Sequence, residues 1–391
     1  MTVDASVLAA KESEFMSAYE QLSTSRLGGA CLVKSAKFKG SIGSGPGVLR
    51  EFWDNLSMDM IRPRYGVFAP FSATPGPVSQ NNEAWDSKAS EPVDRLFFAR
   101  DATHPSIPDS QATSRELTRF AGKICALAII NNQLLPGLES LSPQVLRIVV
   151  EDKIEFSWKD FETIDEDLFK GWQWLLENPA EQLCASFSVI EATGDGKTVT
   201  KAFRGYNPAE DVTDQNKEEY VKLCAKNWIK KFRYKIVAFR EGFTEVIPRE
   251  MLRVLGPADL ELLLCGVPVI NIDDWRKVTT YTYYSSSSVV QQQTLIDWFW
   301  SIVRDDMNEA DRALLLKFST GLSRTPPGGF LSKTIGEWRF QIYLMNVSGT
   351  SLPSASTCFN LLKLPNYISR DQLREKLLMA IRHGTTGFEF V

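Results

Sequence analysis

The chain has 391 residues, 43% apolar and 24% charged, with a formal net charge of −4. That balance leaves no basic excess to suit a nucleic-acid backbone, and a chain of this length can bury a large core without disulfide or metal staples. At roughly 100–200 residues per domain, two or three units are expected.

The N-terminus, MTVDASVLAAKESEF, carries acids and lacks the apolar core of a signal peptide. Residues 4–22 read as an amphipathic helix, with Val7, Leu8, Phe15, Tyr19 and Leu22 roughly on one face. The glycine-rich SIGSGPG (41–47) contains G-x-G but lacks the strand–turn–helix context of a phosphate site. Residues 69–115, rich in Pro, Ser, Asn and Asp, read as loops around a short strand in RLFFAR (95–100). From Glu116 to Leu135 the pattern turns helical, with Leu117, Phe120, Ile124, Leu127 and Ala128 in phase. The longest strongly apolar run, ICALAII (124–130), falls well short of the about 20 residues that a membrane span needs.

Further helices are expected over Asp165–Leu176 and Glu218–Phe232, with a hairpin over Leu183–Thr200 turning at GDGK (194–197). The basic run KNWIKKFRYK (226–235) reads as a solvated helix face. The polar stretch TTYTYYSSSSVVQQQ (279–293) is either an exposed loop or a linker between two bodies. Beyond it come helices at about Leu295–Val303 and Glu309–Phe318, the second with Asn308 as N-cap and Gly321 as terminator. Strands are expected near Trp338–Met345 and Phe359–Leu364. The final helix starts at a Ser369/Gln372 capping box, carries Leu373, Leu377, Ala380 and Ile381 as its stripe, and ends at Gly384. The last hundred residues thus form a mixed unit of their own.

Six cysteines (31, 125, 184, 224, 265 and 358) are scattered with no C-x-x-C pair, which argues against zinc and against a disulfide framework. Free thiols suit a reducing compartment. With only His104 and His383, a histidine-rich metal site is excluded. A Cys–His dyad using Cys358 stays formally open, although His383 in the last turn of the final helix suits the helix dipole without any catalytic role. Cys358 starts a strand after a Pro- and Ser-rich loop. On residues alone it is either a small buried hydrophobe or a reachable thiol.

The segment LPSASTCFNLLKLPNYISRDQLREKLLMAI (Leu352–Ile381) closely resembles the end of HECT domains, whose pattern runs LP-x-a-x-TCFN-x-L-x-LP-x-Y, then a helix, then a terminal G-F. The tail GFEFV (387–391) fits as well. Further blocks follow in family order: GVLREFWDNLSMDMIRPRYGVF (47–68), FAGKICALAIINNQLL (120–135), DVTDQNKEEYV (211–221), FREGFTEVIP (239–248), ELLLCGVPVINIDDW (261–275) and LLLKFSTGLSRTPPGGF (314–330). Two departures stand out. Ser356 occupies the place where many members have histidine, and the family's acidic, glycine-rich turn is altered to KGSIGSGPGVLRE (39–51).

The resemblance implies an α+β, bilobal HECT fold. A large, mainly helical N-lobe with small β insertions would span 1–278, a flexible interlobe hinge 279–288, and a small α/β C-lobe 289–391. It also implies a HECT-type ubiquitin-protein ligase that needs no cofactor and no metal. Cys358, beside Thr357, would accept ubiquitin as a thioester from a conjugating enzyme and pass it to a lysine of a protein substrate. A cysteine suits this work: its ordinary pKa of about 8.5 leaves a few per cent thiolate near pH 7, and a thiolate both attacks and leaves well. Backbone N–H groups near Thr357–Phe359 would stabilise the oxyanion. Phe388 would pack the tail near the site, and Glu389 or the Val391 α-carboxylate would take the lysine proton. By position, Leu168, Phe169, Trp172, Leu175 and Phe187 correspond to the docking groove for the conjugating enzyme; the plainer reading of each is a core residue, and an exposed Trp172 would favour docking. The alternatives are a HECT-like scaffold that binds conjugating enzyme or ubiquitin without transfer, and a cysteine hydrolase. The setting implied is cytoplasmic, with the nucleus as a second compartment. No separate recognition module is expected ahead of the domain, so the substrate is not readable.

Overall fold

The computed structural model describes residues 3–9, 14–23, 31–38, 45–62, 65–70, 95–99, 111–183, 185–192, 198–283, 289–331 and 339–383. The chain forms two compact units. One comprises Met1–Ile61, Phe120–Glu139 and Gly242–Val391, the other Arg62–Arg119 and Ser140–Glu241.

The first unit opens with strand β1 (Val3–Ala9), helix α1 (Glu14–Ser23), strand β2 (Cys31–Phe38) and helix α2 (Pro46–Met60). The helix expected over 4–22 is therefore confined to α1. Val3–Ala9 pairs in parallel with β2 instead, where a short isolated helix would be marginal. Phe15 and Leu22 of α1 are buried, and the Phe15 N–H donates to the Asp59 carboxylate on α2 at 3.0 Å. Helix α2 begins with Pro46 at its first position, where a missing N–H costs nothing, after Gly45 at φ 128°.

The second unit contains β3 (Phe68–Pro70) and β4 (Leu96–Phe98), paired antiparallel, so the short strand expected in RLFFAR is present. Helix α3 (Gln111–Ile130) passes from the second unit into the first. Then come α4 (Pro143–Val150), α5 (Glu166–Glu177), the hairpin β5 (Ser188–Ala192) and β6 (Thr198–Ala202), α6 (Lys217–Lys230), and α7 (Arg233–Thr244). The expected GDGK turn lies outside the described residues. An aromatic core fills the unit. Phe97 meets Trp228 and Phe232, Phe161 meets Trp172 and Trp228, and Phe68 and Phe98 meet Phe239.

The basic run at 226–235 is not wholly a solvated face. Trp228 and Phe232 are core residues, and Lys235 is fully buried. Its Nζ donates to the Gly66 and Ala99 carbonyl oxygens, each at 2.5 Å, tying together the outer ends of β3 and β4. Lys235→Met keeps the stem volume and strands two carbonyls. At about 1–3 kcal/mol for each buried group left unsatisfied, a loss of about 3 kcal/mol is expected, read as a lower denaturant midpoint with an unchanged slope.

The first unit resumes with α8 (Arg249–Leu252), α9 (Pro257–Cys265), α10 (Ile272–Val278), β7 (Thr279–Tyr283), α11 (Val289–Ser301) running into a π-turn (Ile302–Asp306), and α12 (Glu309–Thr320). β8 (Phe340–Ser348), β9 (Ser354–Ser356), β10 (Leu361–Asn366) and α13 (Arg370–His383) complete it. The sheet order is β7-β8-β10-β9, parallel except for the β10–β9 pair. Thr279–Tyr283, the first half of the segment read above as a hinge, is thus an edge strand of this sheet; residues 284–288 lie outside the described set. One core runs from Ile270 and Trp275 through Trp300, Leu315, Phe340 and Leu362 to Ile381, so residues ahead of 279 already belong to this body.

Local signals hold α12 and α13 as expected. The Asn308 side chain accepts the Asp311 N–H, and Gly321 closes α12 in the left-handed region. Ser369 Oγ accepts the Gln372 N–H at 3.2 Å, and Gln372 Oε1 accepts the Ile368 N–H. The π-turn frees backbone carbonyls that Arg312 collects, donating to Val303 and Arg304 oxygens. Arg382 then holds buried Asp311 in a bidentate pair, fixing α13 on α12.

Candidate functional site

Cys358 lies at the tip of a β-turn connection. β9 and β10 pair antiparallel with Leu361 opposite Ser356, and the four residues between them form a 3-10 turn (Thr357–Phe359) closed by Asn360. Asn360 has φ 49°, a left-handed conformation that asparagine tolerates better than most residues. Its N–H donates to the Thr357 carbonyl at 3.2 Å. Two further bonds pin the turn to β8: the Gln341 N–H donates to the Asn360 carbonyl, and Gln341 Nε2 to that of Phe359. The T-C-F-N order therefore has a local reason, since only the fourth position needs a residue at home with positive φ.

The four side chains of the turn differ sharply. Thr357 is 6% exposed, and its hydroxyl has no hydrogen-bond partner. Cys358 is half-buried. Phe359 is 68% exposed, an apolar ring presented to solvent beside the thiol. Cys125 and Cys265 are buried and Cys224 is half-buried. Burial pushes the Cys125 thiol up and lifts Cys224 to about 11, where almost none is thiolate near neutral pH.

The first turn of α2 lies against this turn. A side chain at Gly45 would bring its Cβ to 3.2 Å from Cys358 Sγ. At Gly47 a Cβ would fall 2.2 Å from Thr357 Oγ1 and 3.0 Å from the Cys358 nitrogen, so only glycine fits there. Arg50, one turn on, donates to the Thr320 carbonyl at 2.5 Å and to Asn360 Oδ1 at 2.7 Å, and reaches the Thr357 carbonyl at 3.5 Å. Burial pulls the Arg50 guanidinium below its ordinary value, with neighbouring Cys358 acting in the opposite sense. Sequence reasoning missed Gly45, Gly47 and Arg50 as neighbours of Cys358. They stand about 310 positions away, and no spacing rule reaches that far.

The other expected site residues divide. Phe388, Glu389, Val391 and His104 lie outside the described residues. His383 is exposed at the end of α13. On α5, Asp165 caps the helix by accepting the Leu168 N–H. Trp172 is 8% exposed and packs edge-on against Phe161, while Leu175 and Phe187 are fully inside. These three are core residues, and the exposed Trp172 that would favour docking is not found. The reason is that one apolar helix stripe serves a core and an interface alike. Leu168 and Phe169 are half-buried, and Phe169 stacks on half-buried Trp158 at 5.5 Å. Among the described residues no helix is long and apolar enough to cross a membrane, and no cluster of His, Cys, Asp and Glu could hold a metal ion.

Residues 54–391 match the family model described as HECT-domain (ubiquitin-transferase). The chain is 33% identical over 360 residues to the E3 ubiquitin-protein ligase HACE1 of Danio rerio, covering 90% of this chain and 36% of that protein. It is 31% identical over 388 residues to HACE1 of Homo sapiens, covering 98% of this chain and 39% of that protein. It is 36% identical over 306 residues to the E3 ubiquitin-protein ligase UPL1 of Arabidopsis thaliana, covering 74% of this chain and 8% of that protein. The chain therefore spans well under half the length of these relatives.

Proposed function

The chain belongs to the HECT-domain (ubiquitin-transferase) family, and on that premise we propose that it is a ubiquitin-protein ligase working through Cys358. The observation that carries this reading is the placement of the T-C-F-N turn. A half-buried thiol stands at a hairpin tip beside an exposed phenyl ring, whereas Cys125 and Cys265 are sealed in cores.

Two exchanges make up the cycle. The Cys358 thiolate adds to the thioester carbonyl carbon of ubiquitin carried by a conjugating enzyme, the carbonyl electron pair moves onto oxygen, and collapse expels the carrier's thiolate. One thioester replaces another, so the step is nearly isoenergetic and calls for no nucleotide. A substrate lysine, as free amine, then adds to the new thioester. It loses a proton, Cys358 leaves and is reprotonated, and an isopeptide bond remains. Thioester to amide is downhill, which gives the cycle its direction. Glu389 or the Val391 carboxylate as proton acceptor, with Phe388 packing the tail, stays part of this proposal, as does a cytoplasmic setting.

An interlobe hinge within 279–288 also stays a proposal. A thiol that visits two partners needs a joint; with Thr279–Tyr283 paired to β8, the joint is proposed outside that strand. For docking of the conjugating enzyme, the partly exposed pair Phe169 and Trp158 replaces Trp172 as the proposed anchor. Phe169→Ala is expected to raise KM for the ubiquitin-loaded conjugating enzyme about tenfold, a typical cost for an aromatic anchor, with kcat nearly unchanged. Initial rates over a range of loaded-enzyme concentrations check this. The proposal as a whole is tested by mixing the chain with ubiquitin-loaded conjugating enzyme and looking for a ubiquitin adduct that reductant removes.

A further inference from the structure

We infer that the first turn of α2 is the second half of the catalytic centre: the backbone N–H groups of Gly47 and Val48, with the Thr357 hydroxyl, receive the oxyanion formed at Cys358, and Arg50 positions the Cys358 turn on them. The inference rests on Cys358 being the nucleophile.

Three independent observations meet at this point. First, α2 has no side-chain cap at its start; Gly45 contributes only its carbonyl, which accepts the Leu49 N–H at 3.1 Å. Pro46 has no N–H, so the free donors of the first turn are those of Gly47 and Val48, both in buried residues. Buried backbone donors are nearly always satisfied in folded proteins, so a missing partner is informative. Second, the Thr357 hydroxyl is buried, has no partner, and faces Gly47. Third, Cys358 Sγ borders the same turn at Gly45. A helix start with open donors, an unsatisfied hydroxyl and the thiol thus lie side by side.

The α2 donors add to those named from sequence around Thr357–Phe359. The Asn360 N–H already closes the turn on the Thr357 carbonyl. Helix N-termini suit negative charge through both their open N–H groups and the helix dipole. In an exchange made with the Cys358 turn against α2, the charge develops on the carbonyl oxygen at the tetrahedral stage and vanishes on collapse, so donors fixed in advance favour the transition state over the ground state.

Arg50 touches none of the reacting atoms. It spans α12 and the Cys358 turn by three oxygen acceptors, Thr320, Thr357 and Asn360, and is therefore a positioning residue. All three contacts come from Nη1; the planar guanidinium fixes the direction of its N–H groups, whereas an ammonium is a freely turning point charge.

The test compares acyl transfer with alkylation at the same sulfur. Transfer from ubiquitin-loaded conjugating enzyme passes through an oxyanion; attack on iodoacetamide does not. Gly47→Ala puts a Cβ where Thr357 Oγ1 stands, so it displaces Thr357 and lowers thermal stability as well; Thr357→Val carries the same test without that clash. In Gly47→Ala, transfer to Cys358 is expected to fall about 10²-fold, the range for losing one oxyanion donor, with the alkylation rate within about twofold of wild type. Thr357→Val should lower transfer about tenfold and Thr357→Ser should restore it. Arg50→Ala should fall with Gly47→Ala, and Arg50→Lys should lie between it and wild type. Unchanged transfer in both Gly47→Ala and Thr357→Val overturns the inference, as does a parallel loss of alkylation. An adduct that persists in Cys358→Ala overturns the underlying assignment of the nucleophile instead, so the two failures are told apart.

Discussion

With Cys358→Ala, no reductant-sensitive ubiquitin adduct is expected from a loaded conjugating enzyme, and isopeptide product should fall by more than about 10³-fold, as when other covalent nucleophiles are removed. The residue sits in a surface turn held by backbone bonds and Gln341, not in a core, so alanine leaves the fold intact and the loss reads directly on chemistry. Cys358→Ser is the sharper variant. Its oxygen is a poor nucleophile near neutral pH, but any adduct it traps is an ester and resists thiol reductant. The experiment also separates the rival readings. A scaffold without transfer gives no adduct in the wild-type chain either, and a hydrolase releases free ubiquitin from conjugates. The latter needs a base near the sulfur; the one described histidine, His383, is exposed at the end of α13.

Trp275→Ala should be the most damaging substitution for folding. The ring is fully buried, stacked on Phe330 at 5.3 Å and edge-on to Phe340 at 5.2 Å and Trp300 at 5.9 Å. Truncating a buried aromatic costs about 3–5 kcal/mol. In a body of this size that lowers Tm by about 10 °C, at about 2–4 °C per kcal/mol, which differential scanning calorimetry would measure. Trp275 precedes the expected C-lobe boundary at 289, yet it stands in the core that continues to Ile381. A fragment starting at 289 would lack both this ring and β7, and is expected to remain unfolded. One starting just ahead of Ile270 should fold, with a cooperative transition in circular dichroism.

Elements governed by neighbours in sequence were readable. Helices α5, α6, α12 and α13 carry a 3.6-residue stripe and local caps such as Asn308 and Ser369, and the β5–β6 hairpin is closed by a short loop. Elements governed by distant partners were not. β1 owes its extended form to a ladder with β2 across more than twenty residues, and three-residue β9 is too short to show a period. Lys235 looked solvated because a charge does not announce the two carbonyls waiting for it. Trp172 shows the complementary limit, since an apolar stripe does not say whether it meets a core or a partner. At the candidate site, the family pattern pointed to Cys358 and Thr357. The α2 side, Gly45, Gly47 and Arg50, depends on tertiary approach alone.

The buried ammonium of Lys235 bears on how the proposed enzyme would mark itself. A transferase that builds isopeptide bonds has its own amines nearest to hand, and these differ in how readily they can attack. Lys235 is out of reach, with its protons engaged by the Gly66 and Ala99 carbonyls. Lys170 and Lys277 are exposed, but Glu166 and Asp274 hold them in the protonated state, which thins out the neutral amine. A map of self-attached ubiquitin should therefore be sparse at all three, and should concentrate on exposed lysines with no acid beside them.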